Sequence, residues 1–313
     1  MPSDYTQHLG WPTLSCNLLL RSALCGDRAA WAQWLDEFGL DRASWSEVRL
    51  LAAVAARSDL DVEPRVRGVQ KFIWTQTHAQ ITPAFGALQA LDRADIPLLL
   101  LKGAARIAVC PAVAAQRLIR DLDVLVPLPQ AAAAFDVLCA NGWELRGWQV
   151  ALRQHDALAH HAWALSFGRS EIDVHHYSNF LNRSEDIDDG LWSRSLSVEW
   201  HKVRVRVPAQ SDALALALIH GVRYSAERAA DWVLDACAVL DAPRECDIWS
   251  PLLREVRQRR VEFVALAGLT YLSTLREIPS EVLGELRAAA EQHHRSLKIY
   301  TSLPCVLHSI IDL

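Results

Sequence analysis

The chain has 313 residues, 51% hydrophobic and 22% charged, with a formal net charge of -5; this is enough apolar chain for two cores and excludes a disordered protein. The negative balance disfavours nucleic-acid binding through bulk charge, and no apolar run nears the roughly 20 residues needed to span a bilayer. Seven dispersed cysteines without Cys-x-x-Cys spacing are expected to be reduced thiols of a cytoplasmic protein, neither a disulfide frame nor a zinc site. Met1–Gly26 contains Asp4 and has no basic segment ahead of a hydrophobic stretch, so no signal peptide is expected.

From Leu14 to about Leu91 the apolar residues fall at three- and four-residue spacing, as helices require. Trp31, Trp34, Leu35 and Phe38 form one such stripe, expected to be core, and Ser44 with Glu47 reads as a capping box opening a Val48–Ala56 helix. Pro64 and Gly68 are expected to mark a break before a longer helix running toward Leu91. Ile96–Leu101 then reads as a short buried strand that ends in Lys102-Gly103 and passes into an alanine-rich helix. Ile119–Val126 is a second buried strand, Ala131–Asn141 a helix closed by Asn141-Gly142, and Glu171–Tyr177 a third alternating strand. Val203–Val207 alternates as a half-exposed strand ended by Pro208. After Ser211-Asp212 the pattern is helical, with breaks expected near Pro243, Pro251, Pro279 and Pro304. Arg254, Arg257, Arg259 and Arg260 read as a solvated helix face.

Chemistry concentrates on the three strands. Side chains alternate faces along a strand, so Asp121 and Asp123 point the same way. Two adjacent carboxylates repel unless a cation sits between them, and a rigid oxygen-only set suits Mg²⁺, which completes its shell with substrate phosphates. On the third strand Glu171, Asp173 and His175 share a face, so a neighbouring placement would give Asp173 as a third carboxylate. Lys102-Gly103 at a helix start makes an anion site from backbone N–H groups and one ammonium. Three acids around a metal–nucleotide centre are what in-line phosphoryl or nucleotidyl transfer needs.

This order of motifs resembles the polymerase-β-like nucleotidyltransferase superfamily, and within it the family of uncharacterised nucleotidyltransferases. The matching residues are Leu101-Lys102-Gly103, Arg117 four residues before Asp121-Leu122-Asp123-Val124-Leu125-Val126, and Asp173-Val174-His175. His220-Gly221 and Asp231-Trp232-Val233-Leu234-Asp235 match later family features loosely. The superfamily's usual Gly-Ser turn is Lys-Gly here, so Lys102 or backbone amides must stand in for the serine hydroxyl. The resemblance implies an α/β (α+β) fold: a polymerase-β-like core with a small mixed sheet over 94–210, a helical segment over 1–93 and a helical domain over 211–313.

It implies also an enzyme that moves a nucleoside monophosphate from a nucleoside triphosphate to an acceptor and releases pyrophosphate. Asp121, Asp123 and Asp173 are then the catalytic and metal-binding residues, with Mg²⁺ (or Mn²⁺) as cofactor and the triphosphate as co-substrate. Lys102, Gly103, Arg117 and Arg120 are the expected nucleotide-binding set, Arg120 being on the strand face opposite the acids. Glu171 and His175 are expected beside the metal ligands. The acceptor, whether a small molecule, a peptide or a protein, is not specified by the sequence; nucleic acid is less favoured and no membrane is involved. Two alternatives stay open: a non-catalytic partner protein that keeps the fold and binds a nucleotide or peptide, and a toxin- or antitoxin-type nucleotidyltransferase. A separate metal site built from His155, Asp156, His160, His161, His175 and His176 matches no metal-ligand spacing and is disfavoured. Nucleophile, dinucleotide and P-loop motifs do not occur.

Overall fold

The computed structural model describes residues 11–146, 160–181, 183–222, 230–243 and 247–300, with side chains as far as residue 292. Four helices come first: α1 (Leu14–Cys25), α2 (Arg28–Glu37), α3 (Trp45–Ala55) and α4 (Pro64–Arg93). Their starts follow from local chemistry. Thr13 accepts from the Cys16 amide, Asp27 from the Ala30 amide, and Ser44 with Glu47 forms the expected capping box. Trp31 and Trp34 stack with ring centroids 5.6 Å apart and are buried in the core. Pro64 is the first residue of α4, where its missing N–H breaks nothing, so Gly68 lies inside a helix that the sequence was expected to interrupt.

The strands are β1 (Leu99–Leu100), β2 (Leu122–Leu125), β3 (Glu144–Leu145), β4 (Ala162–Phe167), β5 (Ser170–His175), β6 (Leu196–Trp200) and β7 (Val203–Val207). Between them lie α5 (Lys102–Val109), α6 (Ala131–Ala140) and α7 (Asp189–Arg194). Among the described residues they form one mixed sheet of seven strands in the order β3-β4-β5-β2-β1-β7-β6. β2 pairs antiparallel with β1 and parallel with β5, and Asp123 lies directly opposite Asp173 in that parallel register. The strand expected over 96–101 is shorter than anticipated, because only Leu99 and Leu100 pair on the ladder before the chain turns into α5.

Among the described residues five helices follow the sheet: α8 (Gln210–Gly221), α9 (Asp231–Asp241), α10 (Trp249–Arg259), α11 (Glu262–Leu272) and α12 (Ser280–Tyr300). Pro251 falls in the first turn of α10 and does not break it, while Pro304 lies outside the described residues. The basic face expected on α10 is only partly solvated: Arg254 and Arg257 are exposed, but Arg259 is buried. Its guanidinium meets Asp188 at 2.7 Å and Glu255 at 2.5 Å.

Two cores organise these elements. One joins α1–α3 and the start of α4 to α8–α12, from Cys16 and Trp34 to Leu269 and Leu286. The other lies between the sheet and the second half of α4, with Ile81, Leu88, Leu122, Val174 and Val205. α4, 30 residues and so about 45 Å long, passes from the first to the second. No helix among the described residues is long and apolar enough to cross a membrane.

Candidate active site

The acids gather because two parallel strands bring them into register. Ile172 and Val174 of β5, and Leu122 and Val124 of β2, are buried in the sheet core. The alternating residues Asp123, Asp173 and His175 therefore share the other face. Ligand atoms of Asp123, Asp173 and His175 all lie within 4.8 Å of one another. Asp121, just before β2, stands outside that set, yet its charge acts on both Asp123 and Asp173.

Charge in this group is unbalanced. Burial, then the nearby Asp123 charge, raises the Asp121 carboxyl above its ordinary range. Burial with the charges of Asp121 and Asp123 pushes Asp173 up to about 6. Asp123 goes the other way: burial would raise it, but the Lys102 ammonium and the hydrogen bond with His175 hold it well below the usual carboxylate range. Two like charges about 5 Å apart at an effective dielectric of about 20 repel by roughly 3 kcal/mol, so a divalent cation is the natural relief. His175 fits that requirement. Its Nδ1 lies 3.2 Å from the Tyr177 carbonyl and its Nε2 lies 2.9 Å from Asp123 Oδ1. With the Nδ1–H donated to the carbonyl, the Nε2 lone pair faces a carboxylate, and only a proton or a metal ion joins the two.

Lys102 opens α5 with left-handed backbone (φ 49°), unusual outside glycine. The turn aims its ammonium at Asp123 Oδ1, with which it forms an ion pair. Burial would lower the Lys102 ammonium; Asp123, Asp121 and Asp173 outweigh it and hold the group above its ordinary value. Leu101, the residue capping α5, offers no side-chain acceptor, so the first-turn N–H groups are left for another acceptor. Gly103 packs closely on Ile119: a Cβ there would meet Ile119 Cγ1 at 3.3 Å.

The opposite wall comes from the C-terminal helices. Asp231 and Asp235, four apart on α9, hold three arginines from the N-terminal half: Arg49 of α3, Arg106 of α5 and Arg117. Burial would lower the Arg117 guanidinium, but Asp235 and Asp231 raise it beyond its ordinary value. Thr77 of α4 fixes the segment carrying Arg117: its hydroxyl donates to the Arg117 carbonyl and accepts from the Ile119 amide, both at 3.2 Å. His220, at the end of α8, has Nε2 3.0 Å from the Ser178 carbonyl, and Asp188 holds Ser178 through its amide and hydroxyl. Burial, then Lys102 and His175, keep His220 well below the usual imidazole range. Between the walls is an open cleft of about 760 Å³, lined by Lys102, Gly103, Arg117, Arg120, Asp121, Asp123 and the facing sides of α8 and α9.

Of the expected site residues, the structure brings Lys102, Asp121, Asp123, Asp173 and His175 together, and places Gly103, Arg117 and Arg120 on the same cleft. Arg120 is exposed there. Glu171 turns elsewhere, with its carboxylate paired to Arg146. His155 and Asp156 lie outside the described residues. His176 contacts the His160 carbonyl, and His161 lies with its ring 5.3 Å from that of His175. Sequence reasoning missed Arg49 and Arg106. A signal for Arg106 exists in its place four residues after Lys102 on one face of α5; none marks Arg49.

Among curated protein sequences none matches this chain significantly. Among solved structures it is similar to the antibiotic-resistance factor ANT(2'')-Ia, whose solution structure shares 15% identity over 72% of this chain and 97% of that one, with a TM-score of 0.38. The crystal structure of ANT(2'')-Ia in complex with adenylyl-2''-tobramycin shares 15% identity over 69% of this chain and 99% of that one, with a TM-score of 0.34. The profile of a family described as uncharacterised nucleotidyltransferase matches residues 65–300, a span that holds every residue of the acidic cluster and of the cleft wall except Arg49. The chain thus belongs to the uncharacterised nucleotidyltransferase family and is an enzyme of that class.

Proposed function

We propose that the enzyme transfers a nucleoside monophosphate from a nucleoside triphosphate to an acceptor hydroxyl or amine, with the acidic cluster as its metal centre. The observation that carries this reading is the in-register pair of buried Asp123 and half-buried Asp173, close to Asp121 and with His175 in ligand range. Asp121, Asp123 and Asp173 would hold Mg²⁺ or Mn²⁺, with His175 completing or orienting the set. When bound, the ion neutralises phosphate oxygens in the transition state. Lys102 and the N–H groups opening α5, Gly103 among them, receive the triphosphate, and Arg117 and Arg120 supply further positive charge.

In the step itself the acceptor oxygen or nitrogen forms a bond to the α-phosphorus. The bond from that phosphorus to the bridging oxygen of the β-phosphate breaks, and pyrophosphate leaves. The acceptor's proton goes to a carboxylate of the cluster, and Asp173, opposite Asp123 at the edge of the acidic group, is the one assigned that task. Calorimetric titration of the four nucleoside triphosphates with Mg²⁺ tests the reading. Magnesium-dependent binding is expected to wild type and to vanish in Asp121→Ala/Asp123→Ala with the fold retained. Equal binding to the double variant, or none to folded wild type, would overturn it.

A further inference from the structure

Resting on that reading, we propose that the half of the cleft remote from the acids is the acceptor subsite, and that it takes an uncharged, aliphatic body whose reactive hydroxyl or amine lies at the acidic end. α5 runs along the cleft from Lys102 to Val109, seven steps of 1.5 Å or about 10 Å. At its start are the acids. Away from the acids the lining changes character: Ala213 and Ala217 of α8, Ala238 of α9 and Ala242 just after it border the cleft, together with Val109 and Leu196. The small side chains fill little of the cleft and leave its volume open along this stretch. Val109 and Leu196 are 64% and 58% exposed, the two most exposed large hydrophobic residues bordering this space.

Charge in this half is already satisfied within the protein. Arg106 is bound by Asp235 at 2.9 Å and Asp241 by Arg276 at 2.5 Å, while Asp231 faces Arg49 and Arg117. Among the described residues of this half, Arg106, Asp231, Asp235 and Asp241 are each already in an ion pair, which leaves little net charge to attract a polycationic or an anionic acceptor. A nucleobase is also poorly served, because it needs an aromatic face to stack on. Trp232, the only Phe, Tyr or Trp side chain lining the cleft among the described residues, is turned into the core against Tyr271 and the end of α8. There it packs so tightly that a Cβ on Gly221 would lie 2.0 Å from the Trp232 ring. Trp232 is 5% exposed and its indole N–H has no acceptor among the described residues. An apolar body with a polar head is the chemistry that fills all of this.

The test uses the neutral probe N-phenyl-1-naphthylamine with the full chain, without nucleotide or metal, so its outcome is separate from that of the magnesium–triphosphate titration. Saturable one-to-one binding by fluorescence is expected, weakened at least tenfold in Ala238→Asp. Val109→Asp, at an exposed helix end where the fold is not at stake, should weaken it at least threefold. Octan-1-ol should displace the probe, and spermidine and adenosine should not. No saturable binding, or affinity unchanged in both variants, would overturn the proposal. Displacement by adenosine would make this half the base pocket, and displacement by spermidine would make it a cationic subsite; either outcome also defeats it.

Discussion

Two buried clusters of charge, built from the same residue types, behave in opposite ways. Around Arg259 every carboxylate has its donors: Asp188 receives Arg259 and Ser178, Glu255 receives Arg259 and Arg194, and Asp212 receives Arg194 at 2.6 Å. Around Asp123, three acids share one ammonium and one imidazole, and no side-chain donor among the described residues reaches Asp121 or Asp173. The first cluster ties α7, α8 and α10 together, and its four carboxylate and guanidinium partners Asp188, Asp212, Glu255 and Arg259 are buried. The second opens on a cleft. A balanced buried network serves the fold, and an unbalanced one beside a cavity is completed by what the cavity receives.

The comparison breaks most directly through activity. Asp123→Ala is expected to lower nucleotidyl transfer about 10³-fold or more, the scale of losing several kcal/mol of transition-state stabilisation, with the circular-dichroism spectrum unchanged. Arg259→Leu should do the reverse. Stripping a buried cation from two acids, Asp188 and Glu255, costs about 3–5 kcal/mol, read as a lower midpoint in urea, and turnover per folded molecule should stay near wild type.

A sharper contrast lies in sign. Asp173→Asn is expected to stabilise the metal-free protein while abolishing transfer. Because the folded-state value of Asp173, about 6, lies above its unfolded value of 3.8, the native state binds more protons than the unfolded state between these limits. Wild-type stability therefore loses a contribution of up to about 3 kcal/mol as pH rises from 3.8 to 6. The gain in Asp173→Asn should grow across that window, level off above it, and shrink when Mg²⁺ is added. A flat difference across pH would place Asp173 outside the repelling group. The smallest effect concerns the turn: Lys102→Gly should be more stable than Lys102→Ala by about 1 kcal/mol, since only glycine adopts left-handed backbone without strain. Equal urea midpoints would remove strain from the account of that turn.

What could be read from the sequence was what depends on short spacing. Two-residue alternation placed Asp121 with Asp123, and Asp173 with His175, on single faces, and the buried Ile172 and Val174 confirm why those faces point as they do. The capping box at Ser44 and the stop at Asn141 are equally local. What escaped depends on partners distant in sequence. Arg259 looks solvated on a helical wheel until Asp188, 71 residues earlier, is folded onto it. Glu171 shares a face with Asp173, yet Arg146 on the neighbouring segment draws its carboxylate away. Arg49, Arg106 and Arg117 could not be joined to Asp231 and Asp235 without knowing that α9 closes the cleft.

The core shared by the first and last helices has a consequence for how the chain is made. Trp31, Trp34, Leu50 and Val66 wait for partners that begin at Leu214. At about 5–20 residues per second, a ribosome takes roughly ten to thirty seconds to deliver them. Through that interval the early helices hold a large apolar surface with nothing to cover it, and the sheet domain completes itself first. The closing contacts span most of the chain, a topology that folds slowly and late. The cleft wall that carries Asp231 and Asp235 therefore forms in the last stage of synthesis, so a truncated or stalled chain would carry the acids without the wall that faces them.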